Sequence, residues 1–342
     1  MEHRPLGRTG VSVSKLCLGT MMFGAWGNPD HADSVRIVHR ALDAGINFVD
    51  TADVYSQGES EVIVAKALAG GRRDDVVLAT KVNFPMSEED PNRRGNSRRW
   101  IIREVEDSLR RLGTDWIDLY QFHRPEAGTD IEETLGALTD VVAQGKIRYI
   151  GSSTFPASAI VEAQWAARDR RLQRFVCEQP PYSILVRGIE NDVLPTCARH
   201  GMGVIPWAPL ASGWLSGRWR KDAGEPGSTR SDRLPARYDL SQPANQRKLD
   251  AVDELAQLAD EAGMTLIHLA IAFAANHPAV TAPIIGPRTM EHLESQLPAA
   301  DVVLDQALLD RIDEIVPPGA TINPIVDSGW ANPALEPAAR RR

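Results

Sequence analysis

The sequence predicts an α/β fold: a (β/α)8 TIM barrel with an N-terminal β-hairpin and long loops at its carboxyl-terminal face. Eight short runs of strand-forming residues alternate with amphipathic helices along the 342 residues, which is typical of a parallel sheet covered by helices. Eight such units favour closure into a barrel over an open, doubly wound sheet. In addition, no G-x-G-x-x-G turn joins a strand to a helix, so the usual signature of an open dinucleotide-binding sheet is absent.

The elements follow in order from the amino terminus. The segment "RPLGRTGVSVS" predicts a hairpin whose turn is flanked by Gly7 and Gly10. The predicted strands are residues 15–19, 47–50, 76–80, 116–122, 147–152, 175–179, 203–207 and 282–286. The predicted helices are residues 34–44, 60–69, 97–113, 131–144, 156–170, 189–200, 249–262, 265–276 and 289–298.

The helix predicted over 97–113 illustrates how period and end residues define these elements. Ser97 can cap the first turn through its side-chain oxygen, and Gly113 can adopt the left-handed conformation that ends many helices. One apolar stripe at helical spacing is formed by Ile101, Val105, Leu109 and Leu112. The segment is therefore an amphipathic helix that ends just before a strand.

Two connections are longer than the usual two to six residues. They are residues 83–99 after the third predicted strand and residues 208–246 after the seventh. Because both follow strand carboxyl ends, we expect both to lie over the barrel face where chemistry occurs. We expect residues 1–330 to form a single barrel domain and residues 331–342 to be a flexible basic tail.

The composition argues against several classes of function. A formal net charge of −8 does not provide the basic field that nucleic acids and membrane surfaces require. The longest near-apolar run, residues 266–275, is about half of a membrane span, and the amino terminus has no signal-peptide core. Three widely spaced cysteines show no metal-ligand spacing. We therefore expect a cytoplasmic protein with no metal site and no nucleic-acid or membrane partner; its oligomeric state stays open.

Four polar side chains lie at the ends of predicted strands. Asp50 and Tyr55 follow the second strand, Lys81 follows the third, and His123 follows the fourth. In a barrel, residues that follow different strands converge at one face. An acid, a phenol, an ammonium and an imidazole form a coherent set for protonating a carbonyl oxygen while hydride reaches its carbon.

Each of the four residues has a distinct expected part. The Lys81 ammonium is expected to lower the pKa of Tyr55, which is about 10 in a free tyrosine. Asp50 is expected to hold Lys81, and His123 to orient the substrate oxygen. Taken singly, such residues more often serve as caps, packing or solvated charges, so the prediction depends on their occurrence together.

These segments resemble the aldo-keto reductase superfamily over nearly the whole chain. The motifs on which this resemblance rests are "GINFVDTADVYSQGESE", "LATKV" and "SLRRLGTDWIDLYQFHRP". "RPLGRTG" and "GNSRRWI" look most like the branch with aryl-alcohol dehydrogenase-like enzymes and potassium-channel β subunits. The resemblance implies a barrel oxidoreductase that uses NAD(P)H, with Asp50, Tyr55, Lys81 and His123 as its catalytic residues.

The resemblance also implies a set of cofactor contacts. Ser153, Thr154 and Gln179 would hold the carboxamide, and Trp207 would stack on the nicotinamide ring. The family usually has Asn where this chain has Thr154. The further implied contacts are Gly19, Thr20, Met21, Asp50, Ala208, Pro209, Leu210, Ser212, Gly213, Arg218, Gly286, Arg288, Thr289, His292 and Gln296. Because a guanidinium can grip a 2′-phosphate with two hydrogen bonds, Arg288 favours NADPH over NADH.

The substrate side is expected to be apolar. Its predicted walls are Trp26, Phe84, Trp214 and Trp330. Such a pocket favours aromatic or bulky aldehydes and ketones over small sugars. Two alternatives stay open at this point: a cofactor-binding regulatory or redox-sensing protein on the same barrel with slow turnover, and a lyase that forms a Schiff base through Lys81.

Overall fold

The computed structural model describes residues 1–221, 226–227, 229–329 and 337–340. Its first two strands, β1 (His3–Pro5) and β2 (Ser12–Ser14), pair in an antiparallel hairpin. The other eight strands form one parallel sheet. They are β3 (Cys17–Gly19), β4 (Phe48–Asp50), β5 (Val77–Val82), β6 (Ile117–Phe122), β7 (Ile147–Ser153), β8 (Phe175–Gln179), β9 (Gly203–Val204) and β10 (Ile284–Ile285).

The parallel sheet closes on itself. Its strand order is β10, β3, β4, β5, β6, β7, β8, β9, so the first and last strands of the sheet are β10 and β9. Backbone bonds join these two ends: the amide of Ile284 donates to the Pro206 carbonyl at 2.8 Å, and that of Thr281 donates to the Val204 carbonyl at 2.8 Å. The predicted (β/α)8 barrel with its N-terminal hairpin is therefore confirmed.

Helices surround the barrel between its strands. They are α1 (His31–Asp43), α2 (Glu59–Leu68), α3 (Arg98–Leu112), α4 (Ile131–Ala143), α5 (Ala157–Arg170), α6 (Val193–His200), α7 (Thr229–Arg233), α8 (Pro243–Glu261), α9 (Leu266–Asn276), α10 (Met290–Gln296), α11 (Gln306–Ile315), α12 (Pro324–Asp327) and α13 (Pro337–Arg340). Every predicted helix has a counterpart, and α7, α11, α12 and α13 are additional. In α3, the Ser97 side chain caps the Trp100 amide and Gly113 has φ 61°, as the sequence predicts.

The core has two layers. A large layer lies between the sheet and the helices, and a smaller one fills the barrel interior at its amino-terminal end. The β1–β2 hairpin covers that end, where the Arg8 amide donates to the Gly201 carbonyl at 3.1 Å. Gly7 has φ 56°, and a Cβ there would lie 2.7 Å from the Gly201 oxygen, so only glycine allows this approach. Because apolar side chains fill this end, polar chemistry is left to the opposite end.

Both long loops follow strand carboxyl ends, as expected. The loop after β9 contains α7 and a short 3-10 turn, Pro235–Arg237. Within the part of the chain that the structure describes, no single helix meets the length and hydropathy of a membrane span; one bent helix pair, α8 with α9, meets them together. Of the tail 331–342 only residues 337–340 are described, so its flexibility and the single domain over 1–330 stay predictions.

Candidate active site

A buried lysine connects an acid and a phenol at the carboxyl ends of β4 and β5. The Lys81 Nζ donates to Asp50 Oδ2 at 2.5 Å, to the Thr51 carbonyl at 2.7 Å and to the Tyr55 hydroxyl at 3.2 Å. Lys81 is fully buried, and Tyr55 is 8% exposed. The structure thus brings together three of the four residues that the sequence placed at strand ends.

Two glutamines fix the other oxygen of Asp50. Gln179 Nε2 donates to Asp50 Oδ1 at 2.8 Å, and Gln121 Nε2 donates to the same atom at 3.1 Å. Every oxygen of this buried carboxylate is therefore hydrogen-bonded, as a buried charge requires. Gln121 is not among the site residues that the sequence predicted. Its position two residues before His123 on β6 places both side chains on one face of the strand, a period that could have identified it.

The chain turns sharply to carry Tyr55 over the end of β4. The Asp53 amide donates to the Lys81 carbonyl at 3.2 Å, which continues the pairing beyond the strand. Ser56 and Gln57 then have φ 50° and 56°, and Gly58 has φ 91° just before α2 begins. Three successive left-handed residues reverse the chain within one turn and leave the Tyr55 hydroxyl directed at Lys81.

The pKa values of this pair differ in part from the expectation. Burial raises the pKa of Tyr55 above its ordinary value, and the Lys81 ammonium opposes this without overcoming it. The expected lowering of the Tyr55 pKa by Lys81 is therefore present but smaller than the effect of burial. Burial lowers the pKa of Lys81, but attraction to Asp50 and Tyr55 exceeds this and raises it overall. A lysine held as an ammonium is a poor Schiff-base nucleophile, which disfavours the lyase alternative.

His123 lies edge-on between two aromatic rings. Its ring centroid is 5.7 Å from that of Tyr55 and 4.7 Å from that of Phe84. Burial lowers the pKa of His123 well below its usual value, and the charges of Lys81 and Arg124 lower it further. Its Nδ1 has no hydrogen-bond partner among the described residues. The imidazole is thus neutral and has an unused polar atom at the site.

A tight turn after β7 presents Ser153 and Thr154 beside Gln179. The Ser153 hydroxyl and the Thr154 amide both donate to the Gln179 carbonyl, at 2.8 and 3.2 Å. Thr154 has φ 59°, a left-handed conformation that a β-branched residue rarely adopts and that Asn tolerates better. The position at which the family resemblance leads one to expect Asn is therefore one where the backbone itself favours that residue.

Glu178, which is not among the residues that the sequence predicted, holds this turn through hydrogen bonds to two of its residues. Its carboxylate accepts hydrogen bonds from the Ser152 hydroxyl at 2.5 Å and from the Phe155 amide at 3.1 Å. Burial raises the pKa of Glu178 to about 7, while these hydrogen bonds lower it. A Glu directly before the predicted Gln179 alternates to the other face of β8, which explains why it supports the turn instead of facing the barrel interior.

Trp207 follows β9 at the edge of the same opening. Its ring packs against Gly329, where a Cβ would lie 2.4 Å from Cζ2, and its Nε1 is buried without a partner among the described residues. Beyond it, Ala208, Ala211 and Ser212 have φ of 58°, 47° and 60°. This irregular backbone is confined to the segment that the sequence assigns to the cofactor.

The remaining predicted cofactor residues are spread along the barrel rim. Gly19, Thr20, Pro209 and Gln296 are buried, Gly286, Arg218 and His292 are exposed, and Met21, Ala208, Leu210, Ser212, Gly213, Arg288 and Thr289 are half-buried. A Cβ on Gly213 or Gly286 would meet no described atom within 4 Å, so both glycines border open space. Gln296 Oε1 is buried without a described partner. Thr20, in contrast, uses its hydroxyl within the fold, on Ser60 at 2.8 Å.

The predicted substrate walls divide into two groups. Trp26 and Phe84 border the site, with ring centroids 6.1 Å from Tyr55 and 4.7 Å from His123 respectively. The prediction for Trp214 is wrong: it is 0% exposed and stacks on Trp219 with a centroid distance of 4.1 Å. The indole is stabilised in this buried position by the stacked Trp219 ring and by the Lys248 Nζ, which lies 5.0 Å from its ring centroid. Trp330 lies outside the described residues.

The closed barrel and the buried Asp50–Lys81–Tyr55 arrangement agree with the class of protein that the comparisons identify. The chain belongs to the aldo/keto reductase family, whose family model matches residues 15–317. It is accordingly an oxidoreductase that depends on NAD(P)H.

Relatives cover almost the entire chain. It is 42% identical to "Uncharacterized oxidoreductase YrpG" of Bacillus subtilis, over 93% of this chain and 96% of that protein. It is 37% identical to "Probable voltage-gated potassium channel subunit beta" of Arabidopsis thaliana, over 92% and 97% respectively. It is 34% identical to "Versiconal hemiacetal acetate reductase" of Aspergillus parasiticus, over 94% and 98%.

Proposed function

We propose that this protein reduces an aromatic or otherwise bulky aldehyde or ketone to the alcohol with NADPH, and that Tyr55 donates the proton. The observation that carries the proposal is the continuous contact from Asp50 through Lys81 to the Tyr55 hydroxyl, with the two side-chain bonds at 2.5 and 3.2 Å. No other arrangement among the described residues places a neutral acid beside a buried ammonium at the barrel opening.

The proton transfer follows from the electrostatics of these residues. A phenol whose pKa is raised stays protonated at neutral pH and is ready to donate. As the proton leaves, negative charge develops on the phenol oxygen 3.2 Å from the Lys81 Nζ, and the ammonium stabilises it. His123, being neutral, can hydrogen-bond the carbonyl oxygen without competing for the proton.

The described residues fit a dinucleotide along the rim. Gly213 and Gly286 border open space, and the buried atoms Gln296 Oε1 and Trp207 Nε1 have no hydrogen-bond partner in the described part of the chain. Ser153, Thr154 and Gln179 would hold the carboxamide, and Trp207 would support the ring. NADPH, when bound, supplies the hydride. Arg288 supports NADPH over NADH, because its guanidinium forms no salt bridge with a described carboxylate and its half-buried position adjoins the rim.

The substrate class is supported by the aromatic side chains of the opening. Trp26, Phe84 and His123 present ring surfaces around the Tyr55 hydroxyl. Flat apolar walls bind aromatic carbonyl compounds better than they bind polyols. We also propose a cytoplasmic location, which the three free, buried cysteines support.

The proposal is tested with a panel of aromatic aldehydes and ketones, following loss of NADPH absorbance and then repeating the assay with NADH. Tyr55→Phe should lower kcat by at least about 100-fold while leaving the Kd for NADPH within about twofold, because the phenol hydroxyl acts only in proton transfer. The matched control is Tyr149→Phe, whose hydroxyl contacts the Thr9 carbonyl at the opposite end of the barrel.

Retained turnover in Tyr55→Phe would overturn the assignment. Tight NADPH binding with no turnover by the unaltered protein on any carbonyl compound would instead favour the regulatory alternative, which no observation on the described residues favours now.

A further inference from the structure

A cation lies in the wall of the candidate active site. Arg124 directly follows His123, and its guanidinium carbon is 5.5 Å from the ring centroid of Phe84 and 5.9 Å from that of Trp207. It is also close enough to Tyr55 for each to affect the charge of the other. The guanidinium is thus held between two aromatic faces beside the proton donor.

This cation has no anionic partner among the described residues. Arg124 Nε donates to the Gly329 carbonyl at 2.9 Å, and Arg124 Nη1 donates to the His123 carbonyl at 2.5 Å. Its Nη2 has no acceptor among the described residues. It forms no salt bridge with a described carboxylate. Arg187, in contrast, is buried and pairs with both Glu190 and Asp313. A largely buried charge without a counter-charge is costly unless a ligand provides one.

The neighbouring charges do not neutralise Arg124. Lys81 and Asp50 compensate each other at 2.5 Å, and burial keeps His123 neutral. Glu178 acts on Arg124 at longer range, but its oxygens accept from the Ser152 hydroxyl and the Phe155 amide. Arg237 adds a second positive charge that acts on Arg124, and the Asp327 carboxylate 3.7 Å from Arg237 also pairs with Lys248. The opening therefore carries a positive potential next to Tyr55.

We propose that Arg124 is a specificity-determining residue that binds a carboxylate on the substrate, so that the preferred substrates are aromatic carbonyl compounds carrying a carboxylate. This inference rests on the proposed carbonyl reduction. Nη2 provides the free donor, and the charge of the guanidinium strengthens the bond to a carboxylate oxygen. Phe84, whose ring lies beside His123 as well as under the guanidinium, borders the space that the aromatic ring of such a substrate would occupy.

The test compares acids with their neutral esters. The three positional isomers of formylbenzoate, their methyl esters and benzaldehyde are assayed with NADPH. For at least one isomer, kcat/KM of the acid should exceed that of its ester by about tenfold, the value of one charged hydrogen bond. In Arg124→Gln this ratio should fall to about one, and in Arg124→Lys, which keeps the charge, part of it should remain.

The matched control is Arg110→Gln, which removes an exposed arginine on α3 that pairs with Asp107 and should leave the ratio unchanged. A merely structural tie between Arg124 and Gly329 would lower turnover of acid and ester equally. Equal kcat/KM for acid and ester in the unaltered protein, or a ratio that survives Arg124→Gln, overturns the inference.

Binding is measured in parallel by calorimetry, titrating each formylbenzoate into the protein with NADP+ present. Heat that is lost in Arg124→Gln and kept in Arg110→Gln supports the inference even if turnover is absent, in which case only the proposed reduction fails. Absence of carboxylate-dependent binding in the unaltered protein, with the esters still reduced, overturns the inference and leaves the reduction in place.

Discussion

Tyr55 shows how loss of water and a neighbouring charge act against each other on one residue. The sequence indicated the lysine and therefore a lowered pKa, but burial of the phenol is the larger effect. Depth of burial depends on how α2, the strand ends and the 83–99 loop pack together, and no local pattern reports it. The meeting of Asp50, Lys81 and Tyr55 at the barrel opening was thus predictable, whereas the balance of their electrostatics was not.

Glu178 makes the stability of the fold depend on pH. Its pKa is about 7 in the folded protein, against an ordinary value of 4.5. Because the folded state binds this proton more tightly, the stabilisation is fully present below pH 4.5 and is lost as pH rises through about 7. The difference of about 2.5 units corresponds to roughly 3 kcal/mol of unfolding free energy.

Glu178→Gln should remove that dependence. Glutamine keeps the shape, accepts from the Phe155 amide and donates to the Ser152 hydroxyl, yet it does not titrate. The variant should lose less stability than the unaltered protein between about pH 5 and pH 8, as measured by urea unfolding. Glu133→Gln, at an exposed position, serves as the control. An unchanged pH profile would show that Glu178 does not titrate in this range.

Residues reached by alternation along a strand were predictable in principle. Gln121 and Glu178 follow from the period of two once His123 and Gln179 are assigned to the interior. Arg124 is different, because the position of its guanidinium depends on Phe84, Trp207 and Gly329, which come from three distant parts of the chain.

Among the elements, the turn from Tyr55 to Gly58 has the least freedom to change. A Cβ on Gly58 would lie 2.7 Å from Arg111 Cδ. Arg111 cannot easily move away, since its guanidinium is bound to the buried carboxylates of Glu61 and Glu104. The left-handed conformation at Gly58 and this contact therefore act together against any side chain.

Gly58→Ala should destabilise the protein by at least about 2 kcal/mol and also lower kcat, because the turn that places Tyr55 must shift. Gly10→Ala provides the control: Gly10 also has a positive φ, 81°, but a Cβ there meets nothing within 4 Å. The control should lose only about 1 kcal/mol by urea unfolding, with kcat unchanged. Equal losses in the two variants would contradict the part assigned to Arg111.

The strands that the sequence predicted least well are β9 and β10. The predictions were residues 203–207 and 282–286, whereas the observed ladders hold two residues each. Pro206 and Pro283 lie inside the predicted segments and have no amide hydrogen to donate. The apolar pattern was correct, but proline shortened the hydrogen-bonded part.

At the scale of the whole molecule, the segment before residue 330 crosses the barrel opening and is attached on several sides. Lys248 Nζ lies 2.6 Å from Asp327 Oδ2, and Arg237 lies 3.7 Å from the same carboxylate. Lys248 and Asp327 thus form a buried ion pair. Burial lowers the pKa of Lys248, which Asp327 opposes. Nothing in the local sequence connects Lys248 with Asp327, which lies 79 positions further along the chain.

Asp327→Asn should destabilise the protein by about 3 kcal/mol, because it leaves the buried Lys248 without its counter-charge. Adding Lys248→Met should recover most of that loss, since no buried charge then remains unpaired. Thermal and urea unfolding measure both effects. Asp140→Asn, which breaks an exposed contact with Arg98, should cost under about 1 kcal/mol. If the double variant is no more stable than Asp327→Asn, the pairing is not the reason for the loss.

The short β9 and β10 have a mechanical consequence for the barrel. Two prolines reduce the number of backbone hydrogen bonds between β9 and β10. This junction therefore has fewer interstrand bonds than the one between β5 and β6, where four residue pairs are in register. In thermal fluctuations, a closed barrel opens first between the two strands that are joined by the fewest hydrogen bonds. Trp207 follows β9 on one side of this junction, and Arg288 follows β10 on the other side. A molecule bound to both residues would hold β9 and β10 together. Slower amide exchange at Ile284 and Thr281 would then show that the junction opens less often.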